Sequence, residues 1–448
     1  MNPDFLLRSP LAQQLYHNCA KALPIVDYHN HLSPADITSD RRFENITQLW
    51  ISADPYKHRA MRILGLPEQV ITGSASDYEK FQAWYESLPR LIGNPLFDWS
   101  VMELSAVFDL ELLPFKPCRE VWDSLNNKLL TMTAQDILKK FNIAYSAPCA
   151  GLTDALHTFD KHIGLCPSLR GDDLLLPADS LRQSLEGLTG IKITCLSAYF
   201  SAVNTRLEDF RTAGCRFADH ALDNGFSYLP DDGRNDVRFS RFIAGEALSD
   251  EDILHLRSAI LTGLLSRYAH AGLTVQLHIG AQRTTSTRLR ALAGAAGGYA
   301  AMGNTGNVAS LVRLLDAVEQ SPEGLPNILL FTLNPADNAV MATLSGSYSA
   351  DGRQALVSQG PAWWWCDHYH GITSMLDEFC CHSVLSTFIG MTTDSRSLLS
   401  FVRHDYFRRI LCQWLADMVE NHRFPNDTQL LEDLIKRICY QNAYARLQ

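Results

Sequence analysis

The chain has 448 residues, 46% of them hydrophobic and 20% charged, with a net charge of −10 at neutral pH. These values suit a soluble globular protein of two or three domains, or one domain carrying a large insertion. They exclude a broad nucleic-acid surface, and no apolar run reaches the roughly 18 residues of a membrane span, so neither nucleic acid nor a membrane is an expected partner.

The opening 18 residues carry Asp4, Arg8, Gln13 and Gln14 and read as a short helix with a polar face, without a signal peptide's apolar core. The eleven cysteines are scattered and form no Cys-x-x-Cys pair, which points to reduced thiols in a cytoplasm. Next comes an apolar run, Leu23-Pro24-Ile25-Val26, that reads as a buried first strand and leads into Asp27-Tyr28-His29-Asn30-His31. Side chains alternate along a strand, so His29 and His31 share a side at its C-terminal end. Two imidazoles are half of a site for a divalent ion such as zinc.

Residues 36–138 contain no strand candidate. Tyr56–Leu64, Asp77–Leu88 and Val121–Leu130 show helical spacing, broken at Gly65-Leu66-Pro67, Gly93-Asn94-Pro95 and Pro114–Pro117. From residue 139 short apolar runs alternate with helical stretches such as Asp252–His270 and Val308–Glu319. The runs are 142–148, 191–197, 215–222, 274–281, 327–334, 354–364 and 385–394. With the first strand they make eight, the signature of an α/β fold of the (β/α)8 TIM-barrel type with a helical insertion after strand 1. A doubly wound sheet could use the same alternation. The division expected is 1–35 (N-terminal helix and strand 1), 36–138 (helical insertion) and 139–448 (the rest of the barrel and the C-terminal helices). Ala291–Gly303, rich in Ala and Gly, reads as a flexible loop.

Barrel sites are built from strand C-terminal ends. Here those ends carry His29 and His31, Asp219-His220, His278 and Asp394, a set that suggests one divalent metal ion. Zinc is the expected ion, with manganese or iron as alternatives. Strand 6 ends in Thr332-Leu333-Asn334 without an imidazole, which argues against a second metal. His220 reads equally well as a core imidazole, and the second His-x-His, His368 and His370, as part of a loop.

The run Gly390-Met391-Thr392-Thr393-Asp394-Ser395-Arg396-Ser397, continuing through Arg403–Arg409, resembles the uronate isomerases of the amidohydrolase superfamily. So do Asp27–Leu32, Tyr56–Arg62, Gly93–Leu96, Asp219–Asp223, His278–Ala281 with Arg283, Leu333–Pro335 and Trp363-Trp364, in the same order along nearly the whole chain. The resemblance implies a metal-dependent aldose–ketose isomerase that interconverts a hexuronate, glucuronate or galacturonate, and its 2-keto form through an enediol. It implies that His29, His31 and Asp394 hold the metal, with His278 as a ligand or hydrogen-bond partner and Asp394 alternatively a base. Tyr56 would be an acid/base or oxyanion donor, and Asp219 would orient a hydroxyl or relay a proton. Arg283 and Arg396 would neutralise the substrate carboxylate or the enediolate, with Arg59 and Trp364 also binding substrate. A homo-oligomer acting on a small sugar acid is the expectation that follows.

Several stretches depart from the family's pattern. The Arg-bearing Ser-Trp-Arg-Pro-Asp run expected after strand 3 is matched to Leu196-Ser197-Ala198-Tyr199-Phe200, which has no cation, and Thr-Thr-Asp-Asp-Pro after strand 2 becomes Ser146-Ala147-Pro148-Cys149-Ala150. Beyond Arg283 stands Thr284-Thr285-Ser286, and Ala300–Asn304 lacks the family's Asp-Ser pair. One missing hydrogen bond to a charged group costs about 1.5–3 kcal/mol, so the combined losses suggest altered specificity towards a larger, less polar substrate, with Tyr199 and Phe200 facing it. The rival reading is a metal-dependent hydrolase or lyase acting on a different small polar substrate.

Overall fold

A computed structural model describes residues 1–448. Seven strands form one parallel sheet in the order β1 (Ile25–Asn30), β2 (Ile143–Gly151), β3 (Ser168–Arg170), β4 (Phe217–Leu222), β5 (Thr274–Ile279), β8 (Asn327–Thr332) and β9 (Val357–Gln359). A two-stranded hairpin, β6 (Ala281–Gln282) with β7 (Ala301–Met302), projects beyond β5. Every residue of β1 and of β5 is buried, as expected for strands covered on both faces. Seven α-helices separate β1 from β2, among them Pro55–Ile63, Asp77–Ser87 and Cys118–Leu129. They share an apolar cluster with the C-terminal helix Val402–Glu420. No helix is long and apolar enough to cross a membrane.

Two of the expected strands differ. Residues 191–197 are not a strand: they lead into the helix Leu196–Thr212, and strand 3 is instead the three residues Ser168–Arg170. A run that short, between Pro167 and Gly171, carries no readable periodicity. Residues 385–394 form a turn and an extended segment rather than a strand. This segment still lies along β1. The Asp394 amide donates to His29 O (3.0 Å), and the His31 amide donates to Ser395 O (2.8 Å). Just before those bonds the His29 amide donates to the Thr392 hydroxyl (2.9 Å) instead of a carbonyl, which interrupts the ladder. From the far edge of the sheet, Trp363, just past β9, donates its indole N–H to Asp394 Oδ2 (2.8 Å). The sheet is therefore curled, with both edges meeting the same segment.

Asp27 fastens that junction. Its buried carboxylate accepts from Asn30 Nδ2, Thr392 Oγ1, the Thr393 amide and hydroxyl, and His404 Nε2, at 2.7–3.0 Å. Burial alone would raise this carboxyl, but His404 and the Thr393 amide hold it below the ordinary range.

Candidate metal centre and active site

Five consecutive strands each deliver one polar side chain to the same end of the sheet: His29, Cys149, Arg170, Asp219 and His278. Arg170 and Asp219 stand opposite each other in the β3–β4 register. Asp394 completes the group from the segment beside β1. Its backbone is left-handed (φ 46°), a conformation that Asp tolerates better than most residues. One carboxylate oxygen, Oδ1, faces both His31 Nε2 (3.1 Å) and His29 Nε2 (3.4 Å). Nitrogen and oxygen donors sharing one tetrahedral zinc stand about 3.3 Å apart.

The other face of the His29 ring meets a residue that the sequence did not single out. Cys149 Sγ lies 3.6 Å from His29 Nδ1 and 3.6 Å from Asp219 Oδ1. Donor atoms of His29, His31 and Cys149 all lie within 4.8 Å of one another, a spacing that could hold a metal ion. Burial raises the thiol, but the charges of His29 and His31 outweigh it and bring Cys149 down to about 7. Burial likewise opposes charge on His29, yet Cys149 and Asp394 hold this imidazole well above its ordinary value. Despite its burial, Asp394 is held well below the carboxylate range by the two histidines. This pocket has a field that favours a positive charge. His278 is the exception: burial and the neighbouring His29 keep it neutral, the form in which imidazole binds metal. Both of its ring nitrogens are buried without a hydrogen-bond partner. Orphaned donors beside a carboxylate–thiol pair are what a divalent-ion site requires, so the residues present fit such an ion.

A cavity of about 120 Å3 opens over this group. Its lining includes His29, His31, His278 and Asp394, three guanidiniums (Arg170, Arg283, Arg396), Tyr56 and the tryptophans 363–365. Arg170 is paired with Asp172 (2.8 Å) and Asp219 (3.4 Å), and Arg283 with Asp223 (2.8 Å). Only Arg396 has no carboxylate partner. Tyr56 is buried, and its hydroxyl is turned to Asp367 Oδ2 (3.3 Å); burial and that carboxylate raise it well above the ordinary phenol.

Of the residues singled out from sequence, His29, His31, His278, Asp394, Tyr56, Arg283, Arg396 and Trp364 line this one cavity, and Asp219 sits directly beneath it. Arg59 does not line it. Its guanidinium stacks on Trp365 (4.3 Å) and donates to the carbonyls of Gly298 and Ala300, where it anchors the Ala/Gly loop. The expectation of no cation after strand 3 is corrected: the observed strand 3 ends in Arg170, which lines the cavity, whereas Leu196–Phe200 begins a helix. Tyr199 and Phe200 are buried in their helix, with the Tyr199 hydroxyl on Leu174 O (2.7 Å), and do not face the cavity. His220 is a core imidazole on Tyr268 (3.1 Å), and His368 caps the helix Tyr369–His382. A charged residue beside a glycine was the available signal for Arg170; Cys149 stands apart from the packing thiols only as a departure from the family's pattern after strand 2.

A family model described as glucuronate isomerase matches residues 1–446. A uronate isomerase of Vibrio parahaemolyticus is 38% identical over 98% of this chain and 97% of its own, and one of Salmonella paratyphi B is 37% identical over 99% and 98%. Among solved structures, the uronate isomerase of Thermotoga maritima superposes with a TM-score of 0.92 at 26% identity, covering 100% of this chain and 99% of that one. With that agreement extending from end to end and the site assembled as described, the chain belongs to the glucuronate isomerase family and is an isomerase.

Proposed function

We propose that this cavity isomerises a hexuronate, glucuronate or galacturonate, to its 2-keto acid by proton transfer through an enediol, with one divalent ion held by His29, His31 and Asp394. The observation that carries the reading is the Asp394 carboxylate between two imidazoles in a cavity ringed by three guanidiniums. His278 stands ready as a further ligand or hydrogen-bond partner, and Cys149 supports His29 from its Nδ1 side. When bound, the ion supplies Lewis-acid polarisation of the sugar's oxygens. Zinc suits the nitrogen-, oxygen- and sulfur-bearing donor set.

The protein's own groups divide the remaining work. Arg396, lacking a carboxylate partner, takes the substrate carboxylate as a bidentate pair, while Arg170 and Arg283 stabilise negative charge on the enediolate. Asp219 orients a substrate hydroxyl. Tyr56 accepts or donates a hydroxyl proton at the cavity wall, and Trp364 packs on the sugar. Retention of Arg170 removes the main reason to expect a larger substrate. We further take Gly390–Ser395 to close the curled sheet as the eighth stave of a (β/α)8 barrel, supported by its bonds to His29 and His31.

Metal-loaded protein incubated with glucuronate or galacturonate in D2O tests the reading. An isomerase forms the ketose, carrying deuterium at C1 to the extent that the base exchanges with solvent. A chelator should abolish turnover. Absence of ketose from both uronates with a full equivalent of metal bound would reject the proposed substrates.

A further inference from the structure

Behind the active cavity lies a second one of about 410 Å3. Tyr56 and Trp365 belong to both and form the partition between them. The outer cavity opens to solvent between Ile63 and Ile92, which are 74% and 75% exposed. Asp367 lines it from the inside, though almost wholly buried. Two donors converge on Asp367 Oδ2: the Tyr56 hydroxyl at 3.3 Å and Arg403 NH1 at 3.3 Å. The same guanidinium lies over the faces of Tyr56 (4.5 Å) and Trp99 (4.1 Å), which fixes the phenol. The hydroxyl of a residue in the active-site wall is therefore hydrogen-bonded to a carboxylate that reaches a different, solvent-open space.

We propose that Asp367 is a positioning residue that relays protons between Tyr56 and water in the outer cavity. This rests on the reading of Tyr56 as an acid/base. As a substrate hydroxyl breaks its O–H bond and protonates Tyr56 Oη, the phenol's own O–H bond breaks and its proton passes to the Asp367 carboxylate. The neutral acid then returns the proton to water, and the reverse sequence delivers one to the substrate. Nothing is oxidised or reduced. Burial lifts Asp367 to about 6 against the pull of Arg403, so the group is ionised at neutral pH yet close enough to accept a proton. The titratable and charged groups around it are Tyr56, Arg403, Tyr406, Asp394 and Cys366, with His368, Arg59 and Arg90 lining the same cavity.

The test uses metal-loaded full-length protein: wild type, Asp367→Asn and Tyr56→Phe, assayed with glucuronate across the pH range, with metal content and Tm recorded. The relay requires Asp367→Asn to lower kcat by roughly a hundredfold, the lower end of acid–base contributions. It also requires loss of the wild-type acid limb near pH 6, with KM and metal content unchanged. A single-turnover proton inventory on the wild type should be bowed, reporting two protons in flight. Asp367→Asn with wild-type kcat and acid limb overturns the relay, as does a linear wild-type inventory, which decides the matter if the variant fails to fold. Tyr56→Phe at wild-type kcat overturns the reading of Tyr56 and the relay together. An inactive Tyr56→Phe beside an unaffected Asp367→Asn removes the relay alone.

Discussion

Replacing Asp394 with Asn isolates the metal-binding charge from the fold. The left-handed backbone at 394 (φ 46°) suits Asn as well as Asp, the amide keeps the carboxylate's shape, and the amide bond to His29 O is untouched. What disappears is the negative charge facing two imidazoles at 3.1 and 3.4 Å. The two imidazoles would be co-ligands, so what the ion loses is one charged ligand; a charge-assisted interaction is worth about 1.5–3 kcal/mol, or roughly tenfold to a hundredfold in metal affinity. The assay is metal content after dialysis against graded chelator, with the Tm of the metal-free protein as control. The variant should lose its ion at chelator levels that leave the wild type loaded, while its metal-free form, lacking the charged contacts to His29 and His31, melts below the metal-free wild type. A full equivalent of tightly held metal in Asp394→Asn would refute the ligand assignment.

Arg170→Met should lower kcat for glucuronate tenfold to a hundredfold in initial-rate measurements, because it removes a half-buried cation that faces the enediolate, an interaction worth about 1.5–3 kcal/mol. The Cys149 thiol, brought to about 7, should be alkylated by iodoacetamide at neutral pH in metal-free protein and protected when metal is bound, as read by mass spectrometry. Asp27→Asn should destabilise by about 3 kcal/mol in urea unfolding, since the amide cannot accept from all five donors. Asp27 is held below its ordinary value in the fold, so its stabilising contribution is full above the unfolded-state pKa near 4. That contribution is lost as pH falls below this, and the variant should show a shallower acid transition there.

Strong apolar runs made most of the sheet legible, and with it the site, because β1 and β5 carry His29 and His278 next to their last residues and β4 carries Asp219 in its middle. The failures have physical causes. β3 is three residues long and depends on its neighbours β2 and β4 for its hydrogen bonds, so no local pattern marks it; the error then displaced Arg170. The segment before Asp394 has strand-like composition, but the hydroxyl of Thr392 takes the amide that a ladder would use. Arg59 was misplaced for a different reason. Helical periodicity identifies which face of Pro55–Ile63 is buried, but not which of two adjoining cavities a long side chain on that face will reach. Cys149 was legible only as a departure from the family pattern, since a thiol packs as readily as it ligates.

The arrangement also explains why the proposed metal ligands come from opposite ends of the chain. A carboxylate left beside two imidazoles without an ion must share a proton with them, and His29 and His31 are both raised accordingly. That proton and a divalent ion compete for the same donors, so metal binding releases protons and strengthens as pH rises. The donors meet only if Gly390–Ser395 lies against β1, and Asp27 is the buried residue that secures it, through Thr392, Thr393 and His404. The proposed ion and Asp27 would therefore stabilise the same junction from its two sides, one at the solvent end and one within the core. Each contributes to a seam that β1 and the C-terminal segment, lacking a continuous ladder, would hold weakly by backbone bonds alone.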